Sequence, residues 1–436
     1  MPGNKEEGWF HPSHRPYRFT ILVFVSLLTY GSYFAYDSIG AIADTLLDEL
    51  NVGHSAIGTM YMVYSIAAIM SVFLGGILID RIGTRAASAI FAGLVIVGAT
   101  IVALAPNVWV LYVGRFVFGA GSESLVVAQS AILARWFKGK ELALSFGIAL
   151  TISRLGTLFS FNTEALISEY FGSYTAALWA AVGFCALSFL AALVYWMMDR
   201  HGEKVLALED QGADEKIVFS DIKKFPKTFW LVALLCVTFY SSIFPFTALS
   251  TNFFHEKWLI PLTAGGSGGF LEQVFANITH MFSTAGGTTT IIIAASMFLA
   301  PFAGSMVDKV GKRASLMVIG SLLMIPSFLM MGLTMIEPRY PMIMLGAAFV
   351  LVPAAMWPAV PLIVRKELVG SAFGLITMIQ NIGLALFPYL NGKLRDMTHS
   401  YTASMIMFAS LGFAGLIFAI LLLRADKKIG NTLETP

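Results

Sequence analysis

Apolar residues run through this chain in long, nearly unbroken stretches separated by short polar links. Twelve are long enough to cross a bilayer: roughly 18–43, 55–79, 86–106, 108–136, 141–167, 173–199, 227–251, 285–308, 314–336, 341–364, 371–392 and 401–424. Each is near or above the ~20 residues that a spanning helix requires. In lipid, backbone N–H and C=O groups must be paired inside the segment, so the stretches predict helices. The polar run 200–226 divides six from six and has no apolar periodicity, which reads as a solvated linker. The expected layout is a tail at 1–17, a bundle at 18–199, the linker, a second bundle at 227–424 with an outer loop at 258–284, and a tail at 425–436. The fold class is therefore an all-α integral membrane protein of twelve transmembrane helices in two six-helix bundles.

Composition agrees with that pattern. Of 436 residues, 57% are hydrophobic and 12% charged, and mean hydropathy is +0.77. A soluble domain carries about twice that share of charge. With both termini inside, inner segments hold 22 of the 28 Lys and Arg, and outer loops hold four (Lys257, Arg339, Lys393, Arg395). Arg115 and Arg154 lie within spans. This asymmetry predicts cytoplasmic tails and linker, and an outer or lumenal 258–284. Cys185 and Cys236 both fall inside apolar spans, so no disulfide framework is expected. The N-terminus shows no cleavable signal pattern, and the first helix would itself direct insertion. No Walker loop, zinc motif or nucleophile elbow stands out, so no enzyme, cofactor, metal site or nucleic-acid partner is expected.

The chemistry concentrates in 109–167. Glu123 lies 15 residues before the middle of the basic link Phe137-Lys138-Gly139-Lys140, and Arg154 lies 16 residues after it. On two helices rising about 1.5 Å per residue, each sits about 22 Å from the link. That is mid-membrane, where ionisable groups are costly and face a bundle interior or a wet cavity. Three readings stay open: a static ion pair, a proton carrier, or separate grips on the two ends of a zwitterion.

The halves repeat. Gly76-x-x-x-Asp80-Arg81-x-Gly83-x-Arg85 follows the second stretch, and Gly304-x-x-x-Asp308-Lys309-x-Gly311-x-Arg313 follows the eighth, 228 positions on. Phe146-Gly147 and Phe373-Gly374 are offset by 227, as are Gly156 and Gly383. Transporters built from such repeats place cargo near the midplane between them. The two glycine–aspartate loops resemble the signature loop of the major facilitator superfamily, and Arg115-Phe116-Val117-Phe118-Gly119 resembles its fourth-helix motif. Longer strings, Gly114 to Gly119 into Glu123 to Gln129, Trp136 to Leu142, Arg154-Leu155-Gly156, Phe244-Pro245-Phe246 and Trp357-Pro358, resemble the lysosomal dipeptide-uniporter branch of that superfamily. Two departures stand out: no dileucine-type sorting signal is present in the N-terminal tail, and 258–284 is longer than that branch needs.

The resemblance implies an alternating-access uniporter of short peptides, with Glu123 on the peptide amine and Arg154 on its carboxylate. Tyr36, Tyr64, Tyr240 and Trp357 lie in or near the matched strings and are candidate cargo contacts, beside their ordinary reading as packing aromatics. Asn381 occupies the repeat position of Arg154. Asp80, Arg81, Arg85, Asp308 and Lys309 form a candidate gate, with each aspartate facing the positive N-terminus of a helix in its own bundle. Their bland reading is topogenic charge and turn chemistry. Arg115 is a structural or coupling arginine, and Asp37 is expected near the outer mouth, in a helix-end or a cargo role. Pro245, Pro301, Pro358 and Pro388 are candidate kinks. The segment 270–278 is amphipathic, and Asn277-Ile278-Thr279 is a glycosylation sequon in a secretory compartment. His54, His255, His280 and His399 fall on the outer side, where an acidic lumen could act on them, beside their ordinary reading as loop histidines that sense nothing. The expected partners are a small zwitterionic cargo and the bilayer, in a monomer with an accessory subunit left open. The membrane would be the plasma membrane of a microbe or the lysosomal membrane of an animal. A proton-coupled carrier of small organic anions is the alternative transport reading, and a non-transporting ligand-sensing receptor the alternative of another class.

Overall fold

A computed structural model describes residues 11–137, 141–206, 224–265, 268–365 and 368–435. Most of the linker, at 207–223, lies outside them, as do the side chains of Pro301 and Asp308. Among the described residues every long regular element is an α-helix. The first half holds α1 (Arg15–Ala41), the short α2 (Ala43–Leu50), α3 (His54–Ala103), α4 (Val108–Phe137), α5 (Leu142–Phe171) and α6 (Tyr174–Leu206). The second holds α7 (Lys227–Thr247), three short helices α8 (Ser250–Trp258), α9 (Phe270–Thr279) and α10 (Ala285–Thr289), then α11 (Ile291–Val310), α12 (Arg313–Leu333), α13 (Arg339–Ile363), α14 (Val369–Thr398) and α15 (Thr402–Lys428).

Among the described residues ten helices are long and apolar enough to cross a bilayer. One of them, α3, contains two of the expected spans, and α11 supplies the eighth, which recovers twelve. The second and third spans run together because the link between them breaks at a single residue. Gly83 has φ 78° and ψ 163°, a conformation essentially confined to glycine, and the chain turns there without unpairing a longer segment. Gly311, its repeat partner, also has a positive φ of 68°. The seventh span ends early for a comparable local reason. Pro245 sits in the last turn of α7, and the chain breaks at Ala248 and Leu249 before α8 resumes it. Pro358 and Pro388 also lie inside helices, as do Pro326, Pro353 and Pro361.

The two bundles meet unevenly. At the end opposite the Asp80 loop, α3 packs on α14 so closely that a side chain on Gly58 would run into the Pro388 carbonyl. A side chain on Gly286 would likewise meet the Phe161 carbonyl of α5. At the basic end, Gly147 of α5 and Gly304 of α11 face open space. This conformer is thus closed at the end of the path opposite the Asp80 loop. The long segment after α8 contributes to the closure. Its helix α9 is amphipathic as expected, but Asn277 is buried, accepts from the Ala264 N–H at 2.6 Å and donates to the Asn162 carbonyl. In this conformer the sequon asparagine is a structural tie with its amide buried.

Two outcomes follow. Gly83→Ala should lower stability by about 1–3 kcal/mol, read by thermal unfolding in detergent, because a Cβ is strained at that backbone conformation; an unchanged transition would show that the turn relaxes freely. Both native cysteines are buried, so single cysteines report topology cleanly. Glu272→Cys should react with an impermeant maleimide from outside intact cells, and Lys204→Cys should not; the reverse pattern would invert the orientation.

Candidate functional site

A cavity of about 220 Å³ lies between the bundles at mid-height. That is below the ~300–1,000 Å³ of drug-sized sites and suits a small cargo. Helices α1, α3, α4 and α5 contribute Tyr33, Tyr36, Asp37, Tyr64, Glu123 and Arg154, and α7, α13 and α14 contribute Tyr240, Phe244, Phe349 and Gln380. Charge is therefore on one wall and aromatic and amide surface on the other.

Glu123 and Arg154 share this cavity without pairing. The Tyr64 hydroxyl donates to Glu123 Oε1 at 2.7 Å and lies 3.1 Å from Ser122 Oγ. The Arg154 guanidinium stands among three rings, 5.8 Å from Tyr33, 5.9 Å from Phe244 and 5.4 Å from Phe349. Ring faces attract a cation without neutralising it. Among the described residues no carboxylate lies within ion-pair distance of Arg154, so its N–H fork faces the cavity. The geometry supplies an anchored anion and a cradled cation, both presented to one enclosed space.

The other sequence candidates separate. Tyr36 lines the cavity and packs edge-on against Tyr64, ring centres 4.7 Å apart. Tyr240 also lines it, while Trp357 stands behind and donates from Nε1 to the Tyr240 hydroxyl at 2.9 Å. Asn381 is buried and donates to the Thr377 carbonyl of its own helix. Gln380 faces the cavity in its place. The offset of 227 fixes the repeat register but not the side-chain azimuth, and one residue turns an α-helix by about 100°. Asp37 was expected at the outer mouth; it is buried in the cavity wall beside Thr157. The i, i+3, i+4 spacing of Tyr33, Tyr36 and Asp37 puts them on one face of α1 and is the signal that could have placed it.

Arg115 lies behind the wall. It is 2% exposed, donates to the Ala35 and Tyr36 carbonyls at 3.2 and 3.4 Å, and sits 5.2–5.4 Å from the rings of Tyr36, Tyr61, Tyr64 and Phe118. It ties α1 to the aromatic cluster that carries Tyr64, and so to Glu123. At the basic end Asp80, Arg81 and Lys309 are exposed. Arg85 instead pairs with the α6 carboxylates Asp199 at 3.5 Å and Glu203 at 2.5 Å. Asp199 is fully buried and also holds Arg135 at 2.9 Å and the Trp136 indole N–H at 2.6 Å. This network within the first bundle was not legible as such, because Asp199 reads only as a polar residue ending a span. Among the described residues no cluster of His, Cys, Asp and Glu is arranged to hold a metal.

Comparison with known proteins places the arrangement. The chain is 33% identical over 425 residues to the lysosomal dipeptide transporter MFSD1 of Danio rerio, covering 94% of this chain and 88% of that protein. It is 31% identical over 437 residues to the Homo sapiens protein of the same name, covering 97% and 89%. A hexuronate transporter of Escherichia coli K12 is 30% identical over 143 residues, which is 32% of this chain and 33% of that protein. A solved structure of a variant of the nucleoside transporter NupG superposes with a TM-score of 0.72 at 14% identity, covering 92% of this chain and 99% of that one, which shows a shared fold. The profile of the Major Facilitator Superfamily matches residues 22–276 and 257–435. This chain, a multi-pass membrane transporter, belongs to the Major Facilitator Superfamily.

Proposed function

We propose that the chain is an alternating-access uniporter of dipeptides that grips its cargo by the two termini. Glu123 receives the amine, and Arg154 receives the carboxylate. The observation that carries this reading is the unpaired acid and base facing one small cavity. A buried ion that lacks a partner is expensive, so a site with one of each sign is suited to a cargo that brings the opposite pair. An extended residue advances about 3.5 Å, and the ends of a dipeptide are about two such steps apart. The guanidinium fork matches a carboxylate in two parallel hydrogen bonds. The relatives named for dipeptide transport align across nearly the whole chain, which supports the cargo class.

In this reading the aromatic wall has a second task. Tyr240, Phe244 and Phe349 present ring surface rather than hydrogen-bonding groups to the cavity centre. Cargo side chains of differing shape could pack there, while recognition stays at the termini. Broad tolerance of side chains follows. Arg115 acts on the scaffold, as the link between the α1 backbone and the Tyr64 ring.

Binding of a dipeptide with free, N-acetylated, C-amidated and doubly blocked ends tests the grip. Each block should weaken wild-type affinity about 10- to 150-fold, the loss of a charge-assisted contact worth roughly 1.5–3 kcal/mol. Glu123→Gln should stop discriminating at the amine, and Arg154→Lys should bind poorly because a point charge cannot reproduce the fork. Equal affinity for free and blocked peptides in the wild type would end the proposal. Arg115→Lys separates scaffold from grip: it should cost about 1.5–3 kcal/mol of thermal stability and leave the free-versus-blocked ratio intact. A normal melting temperature with a lost ratio would instead make Arg115 part of the cargo site.

A further inference from the structure

The closed end of the path carries a second constellation of charge, remote from the cavity. Helix α3 begins at His54 and has no side-chain cap of its own; its N-cap is Gly53. Its first N–H groups are satisfied instead from the other bundle. Asp396, near the end of α14, accepts from the His54 N–H at 2.7 Å and from the Ser55 N–H at 2.9 Å. A carboxylate there pairs orphan donors and meets the positive end of the helix dipole. The approach is tight: a side chain on Gly53 would collide with the Asp396 carboxylate, and one on Gly392 with the His54 carbonyl.

His54 joins the same bridge. Its Nδ1 lies 3.0 Å from Asp396 Oδ1, and its Nε2 lies 3.1 Å from Asn252 Oδ1 and 3.8 Å from Glu256 Oε1. The orientation of the Asn252 amide is fixed by its neighbours. Its Nδ2 donates to Asp44 Oδ1 at 2.7 Å, and its oxygen accepts from the Tyr401 hydroxyl. Both ring nitrogens of His54 therefore face acceptors, and only the protonated ring can donate from both. The charged groups around it are Asp396 and Arg395 from α14, Glu256 and His255 from α8, and Asp44 from α2. Arg395 holds Glu256 at 2.8 Å. Burial alone would raise the Glu256 carboxyl, but the hydrogen bonds from His54 and Arg395 outweigh it and hold the group below its ordinary value. Glu256 therefore contributes above the ordinary carboxylate range and fails only as pH falls through its lowered value. It stays ionised while His54 gains its proton.

We propose that Asp396, His54, Glu256 and Arg395 form a gate latch that locks the two bundles together at the end opposite the signature loops, and that protonation of His54 tightens it. These residues bridge bundles that must separate at this end for the path to open there. Mild acid therefore favours the closed state, and neutral pH releases it. The proposal depends on alternating access and not on the identity of the cargo.

The test uses the full-length protein without cargo, spin-labelled at Glu49→Cys and Met397→Cys, on exposed sites flanking the bridge. Pulsed electron resonance reads the ratio of short to long label separations, and thermal unfolding is followed in parallel. In the wild type the short-distance population should grow about threefold or more between pH 7.5 and 5.5, within the tenfold per pH unit that one proton permits. His54→Gln should remove the pH trend. Asp396→Asn should shift the ratio about tenfold toward the long distance. Glu256→Gln, at a less buried rim position, should shift it the same way by less and keeps the test usable if Asp396→Asn folds poorly. A ratio that ignores pH, or variants that melt earlier while keeping the wild-type ratio, would reduce the bridge to a structural cap and overturn the latch.

Discussion

A full charge placed in an apolar bundle must be neutralised, solvated or offered to a partner, and that constraint organises this molecule. Asp199 is neutralised, by Arg135 and Arg85 together. Arg115 is not paired in that sense; two carbonyls and four rings share its charge and bind α1 to the aromatic cluster. Glu123 and Arg154 are neither neutralised by an ion pair nor fully satisfied by backbone groups. One has a tyrosine donor, the other has ring faces, and both keep open hydrogen-bonding capacity toward the cavity. The fold supports each charge just enough to hold it in place.

That arrangement links the site to the moving parts. Tyr64 bonds Glu123 and sits on α3, whose N-terminal end is capped by Asp396 of the other bundle. Arg154 sits on α5, which is tied about two turns further on, through the Asn162 carbonyl, to Asn277. The two helices that carry or support the charged grips are thus also the two that seal the closed end. A cargo that draws Glu123 and Arg154 together acts on the same elements that separate when the path opens. The glycine contacts at Gly58 and Gly286 make the seams close enough to be either engaged or apart, which suits a two-state switch.

Much of this was written in the sequence. The apolar runs gave twelve spans, and the equal distances of Glu123 and Arg154 from one link put them at one depth. Gly83 and Gly311 marked the turns in both repeats. Azimuth was less accessible: Asn381 and Gln380 differ by one position, and periodicity in an almost wholly apolar helix does not say which faces the cavity. Asp37 stands near the end of the first apolar run, which left a helix-end role and a cargo role equally open. Long-range partners were not legible at all. Nothing in the string around Asp396 announces that it caps a helix starting more than three hundred residues earlier. The burial of Asn277 was likewise invisible, since a local motif carries no record of burial.

The grip on both termini is most directly tested by an experimental structure with a free dipeptide bound in the cavity. The account predicts the amine within hydrogen-bonding reach of Glu123, the carboxylate on the Arg154 fork, and the side chains against Tyr240, Phe244 and Phe349. A peptide bound with its ends reversed, or with Glu123 and Arg154 joined to each other and the cargo elsewhere, would contradict it.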